Sequence, residues 1–182
     1  MALSLSQTAA LAKVLKPGMR VASAGYPDLI APMSMILEFG KFNLLEYRDD
    51  SEAICKRHGL KNRPIPDAHS LFKLLGCELD VYDIVRERGC EIICDLNYDR
   101  QGWLQIAQGK YDIVLDVGTA EHCFNIGQAL FNMAGLVKEG GYIIHENPHS
   151  GWSNHGFYSF HPTLFHDFYT TNGFSVEQCL LV

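Results

Sequence analysis

A chain of 182 residues with 47% hydrophobic and 20% charged content has the length and balance of one globular domain. Its formal net charge of −6, with no run of Lys and Arg, excludes a general electrostatic attraction to nucleic acid or anionic lipid. No apolar run approaches the about 20 residues that a bilayer crossing needs.

The opening residues, MALSLSQTAALAKVLKPG, lack a basic segment ahead of an apolar one and read as a short amphipathic helix, roughly Ser6 to Leu15, stopped at Lys16-Pro17-Gly18. Met19 to Gly25 reads as a strand turned by Tyr26-Pro27-Asp28. Residues 29–75 are the least regular third and are expected to form a cap or insertion. Within them Ala31 to Phe39 and Asp50 to His58 are possible helices, and Asn43 to Tyr47 an extended piece. Asp67 is an N-cap for a helix through Leu74 to a stop at Gly76.

From Cys77 onward the periods are clearer. Glu78 to Asp83, Glu91 to Asp95 and Tyr111 to Val117 are strands, with a helix or loop over Gln101 to Gln108 between the last two. Asn125 to Val137 carries apolar residues at helical spacing and stops at Lys138-Glu139-Gly140-Gly141. Tyr142 to His145 is a strand, Pro162 to Thr171 a helix, and Phe174 to Val182 a last strand. Strands alternating with helices mean βαβ units, so the chain (1–182) is expected to be one doubly wound α/β domain with a mostly parallel sheet.

Ligands of such sheets bind beyond the carboxyl ends of the strands, near the reversal of strand order. The groups that end strands here are Gly25 to Asp28, Asp83, Asp95 to Asn97, Asp116 to His122 and His145 to Asn147. Any one carboxylate is as readily a turn former as a ligand group. Three aligned at one sheet edge favour a site.

The stretch YDIVLDVGTAEHCFNIGQALFNMAGLVKEGG, from Tyr111 to Gly141, resembles the second half of class I S-adenosylmethionine-dependent methyltransferase domains, where a T-x-E-H loop follows the fourth strand and K-x-G-G precedes the fifth. CEIICDLN and VYDI resemble the third and second strands with their acidic ends. The downstream HENPHSGWSNHGFYSFHPTLFHDFY resembles the loop of a bacterial methyltransferase-like group. The resemblance implies a Rossmann-like sheet of the class I methyltransferase type, with an insertion between strands one and two. It implies S-adenosylmethionine as cofactor, held by Gly25 and Tyr26 at the methionine part, Asp83 at the ribose, Asp95 and Leu96 at the adenine, and Asp116 and Thr119 near the methyl group. His122 and His145 become the catalytic candidates, with His122 the base. Glu121, Asn147, Asn154, His155 and Tyr158 face the substrate, a small polar acceptor methylated on oxygen or nitrogen; a sugar or polysaccharide precursor suits the aromatic, amide and imidazole groups.

The sequence departs from that family in three places. Ala22-Ser23-Ala24-Gly25-Tyr26-Pro27-Asp28 has one glycine where two or three are usual, so the cofactor takes a shifted pose, another ligand binds, or the site is vestigial. The interval from Gly25 to Asp83 far exceeds the about 20 residues common before the acidic partner of a dinucleotide fold. The chain stops after the sixth strand, leaving an edge that a second subunit could cover in a homodimer.

Two other readings remain. One is a methyltransferase-like scaffold or binding subunit that has lost cofactor use. The other is a metal-dependent enzyme using the histidines between His145 and His161, although no metal ligand is assigned. His145-Glu146-Asn147-Pro148-His149 matches the H-E-x-x-H string of zinc proteases, but it follows a strand and Pro148 interrupts the helix that the motif requires. The six cysteines read as reduced and structural in a cytoplasmic protein: Cys90 and Cys94 share a strand face too far apart to bridge, and no CxxC pair offers a zinc site.

Overall fold

The computed structural model describes residues 2–36, 45–99 and 107–181. In chain order its first elements are β1 (Ala2–Leu3), α1 (Leu5–Val14), β2 (Arg20–Ala24), β3 (Asp28–Leu29) and α2 (Met33–Ile36). They are followed by α3 (Ser51–Arg57), α4 (Ala68–Leu74), β4 (Glu78–Asp83), β5 (Ile92–Ile93) and β6 (Tyr111–Asp116). A 3-10 turn at Ala120–His122 leads to α5 (Ile126–Leu136), β7 (Val137–His145) and α6 (Pro162–Thr171).

Five strands form one sheet in the order β5-β4-β2-β6-β7, and every pair is parallel. Strand order therefore reverses between β2 and β6, an arrangement compatible with a Rossmann-like fold. Both faces are covered. Ala22, Ala24 and Val114 pack with Ala129, Leu130 and Met133 of α5 on one side. Val21, Val81, Ile113 and Leu115 pack with Leu11 of α1 and Leu71 and Phe72 of α4 on the other. Burial on both faces is why β2 and β6 are nearly continuous apolar runs instead of alternating ones.

Helix ends follow local chemistry. Asp67 accepts the Ser70 amide at 2.8 Å to start α4, and Asn125 accepts that of Gln128 at 3.4 Å to start α5. Pro162 opens α6 in the first turn, where its missing N–H costs nothing.

Four expectations change. The strand expected over Glu91 to Asp95 contracts to Ile92–Ile93. The supposed stop at Lys138–Gly141 lies inside β7, which pairs Val137 with Tyr111 and then slips register before Tyr142 pairs with Ile113. Glycine is required there: a Cβ on Gly141 would sit 2.7 Å from the Asp112 carbonyl oxygen. Residues 174–181 form no strand; Leu180 and Leu181 stand in solvent, without a burial term to hold an added edge strand. Within residues 29–75, α4 belongs to the sheet body as the crossover between β2 and β4, whereas Ile54, Cys55 and Ile65 form a small separate core with Ile30 and Leu60. The helix or loop expected at Gln101 to Gln108 and the end of the one expected at Ala31 to Phe39 fall largely outside the described residues. No described helix is long and apolar enough to cross a membrane.

Candidate functional site

At the carboxyl end of β6 the chain buries a charge. Asp116 has no exposed surface, and both of its oxygens are engaged. Oδ1 accepts the backbone N–H groups of Thr119 at 2.9 Å and Ala120 at 3.2 Å, which starts the 3-10 turn. Oδ2 accepts from His145 Nδ1 at 2.8 Å and Asn147 Nδ2 at 2.9 Å. Burial alone would push the Asp116 carboxyl up, but the His145 hydrogen bond and charge, the Thr119 amide and the Asn147 amide outweigh it and hold the group below the usual carboxylate range.

His145 is used at both ends. With Nδ1 on Asp116, Nε2 is hydrogen-bonded to the Tyr169 hydroxyl at 2.6 Å. The line Asp116–His145–Tyr169 thus ends on a phenol buried in α6, whose ionisation burial and then the Asp116 charge suppress. In this geometry His145 presents no free ring nitrogen to a substrate. It acts as a strut between β6, β7 and α6.

A second carboxylate lies one turn further on. Glu121 is 1% exposed, and its Oε2 accepts from the same Asn147 Nδ2 at 2.9 Å, so one amide spans both buried acids. Its Oε1 faces two imidazoles: His155 Nε2 at 3.3 Å and His122 Nε2 at 4.0 Å. The two rings are 5.0 Å apart between centroids, and both side chains are partly exposed. Gly118 leaves the carboxylate its space, since a Cβ there would lie 3.2 Å from Oε1.

The loop that brings His155 across is fastened to the turn. Glu121 O accepts the amides of Phe157 at 2.8 Å and Tyr158 at 3.3 Å, and Gly156 lies so close that a Cβ would meet Glu121 O at 2.8 Å. Asn154 takes a left-handed conformation at φ 62° and is exposed at the loop's tip. Tyr158 gives its hydroxyl to Phe124 O at 2.7 Å.

The residues expected to meet a cofactor are spread along the same sheet edge. Gly25 turns at φ 80° with its N–H on Tyr82 O at 2.8 Å and its carbonyl taken by Ser23 Oγ at 2.7 Å. Tyr26 is turned into the protein: its ring stacks on His69, Arg48 and Arg88 lie over it, and its hydroxyl reaches Asp67 at 2.5 Å. Burial, then the Asp67 hydrogen bond and charge, push its ionisation well above the usual phenol range. Asp83 accepts the Val85 amide at 3.3 Å, and Asp95 accepts the Asn97 backbone and side chain at 2.9 and 2.7 Å, so each also forms a local turn. Leu96 is buried, with its carbonyl held by Asn132 Nδ2 at 2.9 Å. Thr119 ties the 3-10 turn to the end of β2 through its hydroxyl on Ala24 O at 2.6 Å.

The histidines between 145 and 161 do not form one cluster: His149 and His161 pack edge-on at 5.7 Å between ring centroids, apart from His145 and His155. His149 Nδ1 bonds Phe160 O and His161 Nδ1 bonds Thr163 Oγ1, whereas His155 alone joins His122 and Glu121. Cys123, next to His122, is no nucleophile: burial, then the charges of Asp116, Asp95 and Glu121, push its thiol up to about 12.

Sequence reasoning overlooked Asn132 and Gln7, and placed Glu146 only within a strand-ending string. Asn132 stands on the apolar stripe of Ala129, Met133 and Leu136, and a polar residue there signals a buried hydrogen-bond role. Gln7 Nε2 donates to Asp116 O at 2.8 Å, and Glu146 Oε2 accepts from the hydroxyls of Ser4 and Ser6. No local pattern points to the contact with Ser4 and Ser6 or to that of Gln7. No family model, curated protein or solved structure matches the chain.

Proposed function

We propose that the chain is a methyltransferase of the class I type, using S-adenosylmethionine to methylate an oxygen or nitrogen of a small polar acceptor, with a sugar or polysaccharide precursor the first to try. The observation that carries this reading is the row of groups at the carboxyl ends of the parallel strands. Gly25 follows β2 at positive φ, Asp83 ends β4 and Asp95 lies two residues beyond β5 on one side, and the 3-10 turn bearing Glu121 and His122 stands on the other side of the strand-order reversal.

The cofactor, when bound, would supply an electrophilic methyl carbon on a positive sulfonium that leaves as a neutral thioether. Asp83 is suited to accept both ribose hydroxyls and Asp95 to address the base amino group. Glu121, Asn147 and His155 would orient the acceptor. His122 would take the proton of the acceptor that the cofactor's methyl group reaches. Tyr26, buried under Arg48 and Arg88, acts by shaping the turn instead of touching the ligand.

Calorimetric titration with S-adenosylmethionine and S-adenosylhomocysteine tests the reading. The expected result is a Kd of about 1 µM, on the order of −8 kcal/mol. Asp83→Ala should weaken binding about tenfold or more, while His122→Ala keeps S-adenosylhomocysteine binding and loses turnover. A folded protein that binds neither compound at high concentration overturns it.

A further inference from the structure

We infer that Glu121, His122 and His155 form a site for a divalent transition-metal ion of the zinc class, which fastens the loop after β7 to the turn after β6. The inference rests on these three side chains and stands independently of the methyl-transfer proposal.

Their ligand atoms all lie within 4.8 Å of one another. Zinc binds imidazole nitrogen and carboxylate oxygen at about 2.0–2.2 Å, so two ligands of a tetrahedral ion lie roughly 3.3–3.5 Å apart. The Glu121–His155 pair at 3.3 Å has that spacing already. His122, 4.0 Å from Glu121 and within 4.8 Å of the His155 ligand atom, has to close by up to about 1.5 Å, and its half-exposed side chain has the freedom to do so. Two imidazoles and one carboxylate are the donor set of catalytic zinc sites and of other open transition-metal sites, with remaining positions for water or substrate.

Electrostatics favours the same occupant. Glu121 is buried, yet among the described residues no Lys or Arg pairs with it; only the two imidazoles and the Asn147 amide face it. A carboxylate withdrawn from water without a cation is costly. Asn147 supplies what a ligating carboxylate requires behind it: by holding Oε2, it aims Oε1 at the histidines, and its other contact anchors it to the buried Asp116. Trp152, packed 5.0 Å from His155, shields one side of that ring. Under the methyl-transfer reading, the ion would replace His122 as the group that acidifies the acceptor hydroxyl.

The test uses the whole chain without a polyhistidine tag, stripped with chelator, kept reduced and titrated with Co2+. Expected is one Co2+ per chain, with visible d–d bands, no thiolate charge-transfer band, and displacement by Zn2+. His155→Ala and His122→Ala, both at partly exposed positions, should each weaken binding about tenfold or more, and His149→Ala should leave it unchanged. No binding by the folded chain overturns the inference. So does binding indifferent to both His155→Ala and His122→Ala, or a thiolate band that places the ion on cysteine. Titrating the same preparations with S-adenosylhomocysteine reads the methyl-transfer proposal separately.

Discussion

Asp116 concentrates more of the site's stability than any single contact suggests. Its two oxygens hold two backbone amides, an imidazole and a side-chain amide, all away from water. Asp116→Ala strands those donors together, and about 3–5 kcal/mol of stability should be lost in urea unfolding, as when one partner of a buried charged network is removed. The pH dependence follows from the direction of the shift. The folded-state pKa is depressed, so the stabilisation is complete above the unfolded value of about 3.9 and is lost as pH falls through the lower folded value. Wild-type unfolding curves between neutral pH and pH 3 should therefore carry an acid-side decline that the Ala variant lacks. The residue was legible as a strand-ending carboxylate. Its partners were not all legible, because Tyr169 sits at the i, i+4 spacing of Phe165 and reads as plain core until its hydroxyl is seen on His145.

At the scale of elements, the loop after β7 is held by backbone geometry more than by side chains. Gly156→Ala drives a Cβ into Glu121 O at 2.8 Å and Glu121 Cγ at 3.0 Å. Strain of that kind costs about 1–3 kcal/mol and should break the amide bonds of Phe157 and Tyr158 to Glu121 O. Faster hydrogen exchange at the Phe157 amide, with the β6 amides still protected, would show the loop lifting as a unit. Intact protection at Phe157 would count against it. The elements best read from sequence were those with long, consistent periods: β6, α5 and α6 lie within a residue or so of expectation. The first stretch of β7 was misread because Lys138-Glu139-Gly140-Gly141 has the composition of a helix stop, and only pairing with β6 turns it into an irregular strand. The histidines of the loop misled in the opposite way. Closeness in sequence suggested one cluster, but local bonds at His149 and His161 send those rings elsewhere.

Across the whole molecule, the opening segment is strapped over the ends of β6 and β7. Ala2 N–H donates to Val117 O at 3.0 Å, Gln7 reaches Asp116 O, and Ser4 and Ser6 give their hydroxyls to Glu146. Leu3, fully buried, shares a core with Ile113 and Leu115. Deleting residues 2–7 should lower stability by at least the about 2–5 kcal/mol typical of emptying one such leucine site, seen as a lower urea midpoint. An unchanged midpoint would mean that the strap is ornamental. Its hydrogen-bond partners at Asp116, Val117 and Glu146 were invisible in the sequence because they lie more than 100 positions away.

That separation also sets an order of events in the cell. Ser4 precedes its acceptor by 142 positions, so this contact must wait until β7 has been made. At a synthesis rate of about 5–20 residues per second, the Ser4 hydroxyl waits roughly 7–30 s for its acceptor, whereas Ala2–Leu3 has its β3 partner, Asp28–Leu29, after a small fraction of that time. The segment is therefore secured in two stages, first to β3 and later to the ends of β6 and β7.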